Sequence, residues 1–305
     1  MRRPARTGTP TPVDEPAGFG AAGGTAPDPA EVRYAPEWLR LREGADAAAR
    51  SRALLEPLLE RLRVPRPAGP LAVHDVGCGT GSMGRWLAPL LPGPQHWTLH
   101  DRDPYLLHFA AADAPRTAAD GSPVTVRTRR ADVGRLTPDA LRGASLVTAS
   151  ALLDVLTADE VTALAAACAG AGCAALLTLS VAGRVELTPG HPLDAELGAA
   201  FDDHQRRTGL LGPDAVPVAA DAFTAHGATV RVRPSPWRLG RAEAALTDRW
   251  LRGWVGAAVA QRPALREPAG PYLTERLAAC RAGELAVVVH HDDLLALGRP
   301  TGGDT

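Results

Sequence analysis

The sequence predicts an α/β fold, a doubly wound and mostly parallel sheet of seven strands with helices on both faces. Three observations carry this expectation. Short apolar runs alternate with helical patterns from residue 71 to residue 180, at the spacing of βαβ units. A turn with three glycines at alternate positions, Gly77-Cys78-Gly79-Thr80-Gly81, joins the first strand to the helix after it. Hydrophobic residues make up 45% of 305 residues, which is ample for a packed core.

Residues 1–30 are rich in Pro, Gly, Thr and Ala, have little to bury, and read as a disordered tail. Tyr34, Trp38, Leu39 and Leu41 then open a helical region. Leu54, Leu55, Leu58, Leu59 and Leu62 continue it until Pro65, Pro67 and Pro70 stop it. Leu71–Val76 is the first strand and Gly84–Leu91 its helix. Gln95–His100 is the second strand, followed by a helix from Pro104, a favourable first helical residue, to Ala112. Val124–Arg130 is the third strand, Leu136–Leu141 a short helix, and Ser145–Ser150 the fourth strand. The next helix runs from Thr157 to Ala169, where Thr157 and Glu160 have capping-box spacing. Cys173–Ser180 is apolar throughout, as a strand buried on both faces requires.

Beyond Ser180 the pattern loosens. Residues 183–212 read as a polar inserted segment with one helix over Asp194–Arg207. A helix over Pro213–His226, a strand at Thr229–Val232, helices over Ala242–Ala260 and Leu273–Arg281, and a last strand at Leu285–His290 complete the count. One domain over 31–296 is the economical reading, with 297–305 as a C-terminal tail.

Composition narrows the function. The formal net charge of −1 argues against a nucleic acid held by bulk electrostatics. Lys, Ile and Asn are absent, a coding bias that lowers the meaning of any Arg cluster. Cys78, Cys168, Cys173 and Cys280 fit neither a zinc nor a disulfide spacing, so a reducing cytoplasm is the expected compartment. No window reads as a membrane span.

The glycine turn poses the ligand question. A dinucleotide fingerprint is Gly-x-Gly-x-x-Gly, but here Ser82 holds the third place and Gly81 comes early. Asp75-Val76-Gly77-Cys78-Gly79-Thr80-Gly81 instead resembles motif one of the class I S-adenosylmethionine-dependent methyltransferases, an acid followed by Gly-x-Gly-x-Gly. Asp101, with Arg102 after it, resembles the acid at the end of that family's second strand. Asp132-Val133 resembles the acid after strand three, and Ser150 to Leu156 the segment after strand four. The resemblance spans Leu71–Ala296 and implies a Rossmann-like methyltransferase fold with S-adenosyl-L-methionine as cofactor. It also implies in-line methyl transfer to an O, N or C nucleophile of a small-molecule acceptor.

In that reading Gly77, Cys78, Gly79 and Gly81 pass beneath the cofactor and Asp75 holds loop or cofactor from the floor. Asp101 accepts the ribose hydroxyls, or else caps the helix ahead of Pro104, for which Asp103 is better placed. Asp132, with Val133, meets the adenine amino group or is a solvated loop acid. Ser150 belongs to the same rim. Cys78 reads as a small loop filler rather than a nucleophile. The resemblance further implies that residues 31–64 form a lid, with Tyr34 and Trp38 either part of it or packed in the core, and that 183–212 lies on the substrate side.

Asp154 and His204 are the candidate catalytic residues, with Arg206 or Arg207 as a carboxylate clamp; a solvated helix face is the plain alternative for residues 204–207. His191 and Asp194 lack further metal ligands. His290-His291-Asp292-Asp293 has a metal-like composition, but neighbours in a strand point to opposite faces, so structural roles are expected and no metal site. Trp237, Trp250 and Trp254 read as core. No nucleic-acid or membrane partner is expected. A nicotinamide-dependent oxidoreductase and a non-catalytic methyltransferase relative are the rival readings.

Overall fold

The computed structural model describes residues 34–63 and 69–298. The tail expected at 1–30, Pro65 and Pro67, and residues 299–305 lie outside the described residues. The chain opens with helices α1 (Pro36–Ala49) and α2 (Leu55–Arg63). Then come β1 (Leu71–Val76), α3 (Ser82–Leu87), β2 (Gln95–Asp101), α4 (Pro104–Ala112), β3 (Val124–Arg130), β4 (Leu146–Ser150), α5 (Ala158–Ala171) and β5 (Ala174–Thr188). The remainder is α6 (Asp194–Gln205), α7 (Ala215–Ala225), β6 (Thr229–Pro234), β7 (Trp237–Leu239), α8 (Ala244–Gln261), α9 (Arg266–Ala282) and β8 (Ala286–Leu297).

The sheet runs in the order β3-β2-β1-β4-β5-β8-β6, with β7 paired to β8 off that path. Strands β1 to β5 pair in parallel and β8 is antiparallel to β5, β6 and β7. The doubly wound, mostly parallel architecture is as expected, but the sheet has eight strands, not seven. The extra one, β7, is three residues long and pairs with Val287–Val289. A run that short carries no readable alternation.

Local chemistry sets the elements that surround the turn. Pro104 is the first residue of α4, and the Asp103 side chain accepts from the Tyr105 N–H as its cap. Thr157 and Glu160 complete the capping box of α5, and Gly172 ends that helix in the left-handed conformation. One face of the sheet packs Val147, Ala175 and Leu177 against α5 and α7, where Leu164, Ala165 and Phe223 are buried. The other packs Val73, Trp97 and Leu99 against α2, α3 and α4 through Leu58, Met83 and Leu107. Each such side chain fully buried contributes on the order of 1.5–3 kcal/mol.

The connection from β3 to β4 holds only short 3₁₀ turns, Val133–Arg135 and Pro138–Leu141, where a helix Leu136–Leu141 was expected. The face of β1–β3 on that side is therefore closed by polar groups. His74 and His100 stack there, with His100 Nε2 3.0 Å from His74 Nδ1. Burial and the nearby Arg127 and Arg129 push both imidazoles down to about 4.

The largest departures from expectation lie after Ser180. Strand β5 does not stop there, and β8 does not stop at His290. Register shifts between Leu177 and Ser180 and between Val181 and Val185 absorb Leu179 (φ 58°) and Gly183 (φ 65°), and pairing resumes from Val185↔Val289 to Thr188↔Ala286. Strand β4 ends its pairing with β5 at Ser150↔Thr178, so both long strands continue past the carboxyl edge of the sheet. The first part of residues 183–212 is thus sheet, to Thr188, and α6 follows.

A helical cap is built on this extension. Leu197 of α6, Trp250 and Trp254 of α8, and Tyr272 and Leu277 of α9 pack with Leu187, Trp237, Val287 and Val289. Trp38 of α1 belongs to the same cluster. Helix α9 begins seven residues before the expected Leu273 and contains Pro271. The lost N–H is tolerated because Ala269, Tyr272 and Leu277 anchor the turns on either side.

Candidate functional site

The chain leaves β1 through Asp75 and turns at Gly77, Gly79 and Gly81, all at positive φ. Two of these glycines have a reason the sequence did not show. A Cβ on Gly77 would lie 2.8 Å from Leu152 Cδ1, and one on Gly79 would lie 3.2 Å from Leu39 Cδ1 of α1. The turn therefore makes room for protein side chains as well as for any ligand. Cys78 is buried, its N–H donates to His100 O at 2.9 Å, and burial, Asp75 and Asp101 push its thiol well up. That is the inert filler expected.

Asp101, at the end of β2, is tied to the turn. Its Oδ2 accepts from the Gly79 N–H and its Oδ1 from the Asp103 N–H, both at 2.9 Å. The capping duty falls to Asp103, so Asp101 is not the cap of α4. Burial raises the Asp101 carboxyl while the two N–H donors lower it. A carboxylate has about four acceptor sites, so two N–H bonds leave capacity for ligand hydroxyls.

Asp75 is fully buried; Thr148 Oγ1 donates to its Oδ1 at 2.7 Å and its Oδ2 has no partner. Desolvation raises it to about 7, against the Thr148 hydrogen bond and the Arg50 charge, which lower it. Ser150, at the end of β4, lies across from Ser82, and Arg50 Nη2 donates to the two hydroxyls at 3.0 and 3.3 Å. Ala151 follows at φ 52°, a conformation uncommon for a non-glycine residue, and its N–H is held by Thr178 O.

A cleft of about 510 Å³ opens at the ends of β2 and β3, lined by His100, Arg102, Arg129, Arg130, Asp132 and Leu136 among others. Asp132 is exposed and its Oδ1 accepts from the Gly134 N–H. Val133 is partly buried against the α5 side of the core. The structure thus brings Asp75, the glycine turn, Asp101, Arg102, Asp132, Val133 and Ser150 to one edge of the sheet.

Helix α1 closes this edge. Beyond the Leu39 contact, Glu43 receives Arg85 Nε and Nη2 at 2.7 Å each, and Arg85 Nη1 donates to Thr80 O. Asp46, buried, accepts from Arg42 and from Trp237 Nε1, which joins α1 to the cap. Asp293 accepts from the Ser51 N–H at 2.7 Å and the Leu179 N–H at 2.8 Å.

On the acceptor side, Asp154 is half-buried with Oδ1 unpartnered; burial raises it and the Arg42 charge lowers it. Tyr34 is pushed up by burial and by Asp154, and down by Arg42, Arg102 and Arg207. His204 is buried on α6, and desolvation with Arg207 pushes it down to about 4. Arg207 Nη1 donates to His204 O at 2.7 Å. Arg206 pairs bidentately with Asp214, so of the two candidate clamps only Arg207 is left facing this group. His191 and Asp194 shape the first turn of α6, where Asp194 also accepts from Tyr272 OH. Within His290–Asp293, His290 meets Glu186 while Asp293 is the anchor described above.

Sequence reasoning missed Arg50, Arg42, Glu43 and Arg85; for Asp293 it expected a structural role without its partners. Arg50, Arg42 and Arg85 sit among 33 arginines with no local motif to single them out. Arg50 is 2% exposed, a burial that Arg276 shares, but Arg276 pairs with Glu275 and Arg50 has no ion pair among the described residues.

No protein-family model matches the chain. No curated protein matches it either. Solved structures do. The cyclopropane synthase MmaA2 from Mycobacterium tuberculosis shares 16% identity over 80% of this chain and 83% of its own, with a TM-score of 0.42. A SAM-dependent methyltransferase from Thiobacillus denitrificans, in complex with S-adenosyl-L-homocysteine, shares 16% over 87% and 99%, with a TM-score of 0.42. The YcgJ protein from Bacillus subtilis shares 12% over 80% and 99%, with a TM-score of 0.46.

Proposed function

We propose that this chain is an S-adenosylmethionine-dependent methyltransferase that acts on a small-molecule acceptor. The observation that carries this reading is Asp101 bound to the Gly79 N–H, which sets a buried carboxylate beside a glycine turn at the carboxyl edge of a doubly wound sheet. The cofactor has a ribose diol, an adenine and a zwitterionic amino-acid end, and the residues fit each part. Asp101 retains acceptor capacity for the diol. Asp132, which lines the cleft, and Val133 next to it in sequence are the candidates for the adenine. The orphaned Asp75 Oδ2 suits an ammonium.

The bound cofactor supplies an activated methyl group. The protein's part is then to align acceptor and methyl group and exclude water, which contributes up to roughly 7–11 kcal/mol. Helix α1 and the cap provide the exclusion. Asp154, raised by burial, takes the acceptor's proton where one must leave. His204 is held neutral at physiological pH; at about 4 it is a weaker base and serves to receive or donate a hydrogen bond.

The test is calorimetric titration with S-adenosylhomocysteine and with nicotinamide dinucleotides. Binding of the first alone is expected, and binding of a nicotinamide dinucleotide without the first would overturn the reading. Methyl-labelled cofactor in a cell extract then reports transfer: a labelled small molecule is expected, and binding without any labelled product would favour the non-catalytic reading.

A pH dependence follows from Asp75. In the free protein its carboxyl is raised to about 7, and an ammonium beside it favours the ionised form. Binding therefore expels a proton below that value. Affinity for S-adenosylhomocysteine is expected to rise several-fold between about pH 6 and pH 8. Asp75→Asn, which keeps an oxygen for Thr148, is expected to bind more weakly and to flatten the profile. An unchanged slope in that variant would remove Asp75 from the ligand.

A further inference from the structure

We propose that Arg50, at the end of α1, is the residue that binds the carboxylate of the cofactor's amino-acid end. Arg50 is the cap residue after α1 and is 2% exposed. Its Nη2 meets Ser82 and Ser150, while Nε and Nη1 are buried without an acceptor. Three N–H bonds of a charged group are thus left unused inside the protein. It forms no ion pair among the described residues. The acids around it are committed elsewhere. Asp46 takes Arg42 and Trp237, Asp293 takes two backbone N–H groups, and Asp75 Oδ1 takes Thr148.

Asp46, Asp293 and Asp75 offset the Arg50 charge from a distance, but none pairs with it directly, and a buried guanidinium without a direct partner is costly to hold. The Trp86 ring beneath it, 5.4 Å from the guanidinium carbon to the centroid, is a weak substitute. What is missing is an anion. Ser82 follows the glycine turn directly and Ser150 ends β4, so the guanidinium sits where a ligand on that turn ends. Both hydroxyls accept from Nη2 and keep their own hydrogens to donate. Arg50 donors, serine donors and the lone Asp75 Oδ2 acceptor together match an α-amino acid, carboxylate to the first set and ammonium to the second.

This inference rests on the cofactor reading above. A carboxylate on the acceptor would present the same chemistry, and the test separates the two. S-adenosylhomocysteine and 5′-methylthioadenosine, which lacks the amino-acid end, are titrated into wild type, Arg50→Met and Arg50→Lys. Wild type is expected to prefer S-adenosylhomocysteine. Arg50→Met is expected to lose about 10- to 100-fold for that ligand and to bind 5′-methylthioadenosine within about twofold of wild type. Arg50→Lys, which keeps the charge without the planar fork, should fall between and stands in if Arg50→Met does not fold. Equal losses for both ligands, or none for S-adenosylhomocysteine, would overturn the assignment and leave the methyltransferase reading standing. Wild type that binds neither ligand would sink both.

Discussion

Replacing Asp293 with Ala is expected to lower the unfolding free energy by about 3–5 kcal/mol. The carboxylate is 1% exposed and ties two segments to β8. It accepts the Ser51 N–H just after α1 and the Leu179 N–H inside the β5 bulge, where Leu179 sits at φ 58°. It is also among the acids whose charge offsets that of Arg50. Removal strands two N–H groups, frees a strained residue to relax and leaves the buried guanidinium less compensated. Urea unfolding followed by tryptophan fluorescence measures the loss. Asp293→Asn keeps one acceptor oxygen and should retain part of the stability. A loss below about 1 kcal/mol for the Ala variant would mean that those N–H groups find other partners.

The second large effect concerns Asp101. Asp101→Ala is expected to weaken S-adenosylhomocysteine binding by about 10- to 100-fold through lost hydrogen bonds to the ribose. The sequence alone suggests that such a variant keeps its fold undisturbed, and the structure changes that expectation. The Gly79 and Asp103 N–H groups both lose their acceptor, each at about 1–3 kcal/mol if left unsatisfied. Asp101→Asn separates the two roles. Its single oxygen can hold the Gly79 N–H while its charge and second acceptor are gone, so affinity should fall more than stability. Calorimetry below the onset of unfolding reads the first quantity and denaturant titration the second. Unchanged affinity in the Asn variant would take the ribose role away from Asp101.

The elements that were legible are those with a single strong local cause. β1, α4 and β3 match expectation at both ends, because apolar runs meet Pro or Gly punctuation there and Pro104 fixes a helix start. The later half of β5 was opaque because two bulges break its alternation, and β8 because charged side chains occupy its middle. Only tertiary pairing explains them: Asp293 falls beyond the expected strand end at His290, and its structural role is defined by Ser51 and Leu179 beside it. The site divides in the same way. Asp75 and the glycines are written in one contiguous pattern, and Asp101 ends the next strand. Arg50 is one arginine after a run of alanines, and its role exists only because α1 folds back across the turn.

The continuity of β5 and β8 also bears on how ligands exchange. A cap joined by loops can swing as a jaw, but this one shares two unbroken strands with the main sheet, so swinging it would shear ladder pairs from Ala175↔Ala296 to Thr188↔Ala286. The part that can move without breaking a ladder is α1, held by side chains alone: to the turn by the half-buried pair Glu43–Arg85, the Leu39 contact and the Arg50 hydroxyl bonds, and to the cap by Trp38 and the Asp46–Trp237 bond. Residence time is then governed by the detachment of one helix. On the proposed assignment the same detachment would also carry Arg50 away from the ligand carboxylate, so loosening α1 would speed departure twice, by opening the route and by withdrawing the grip.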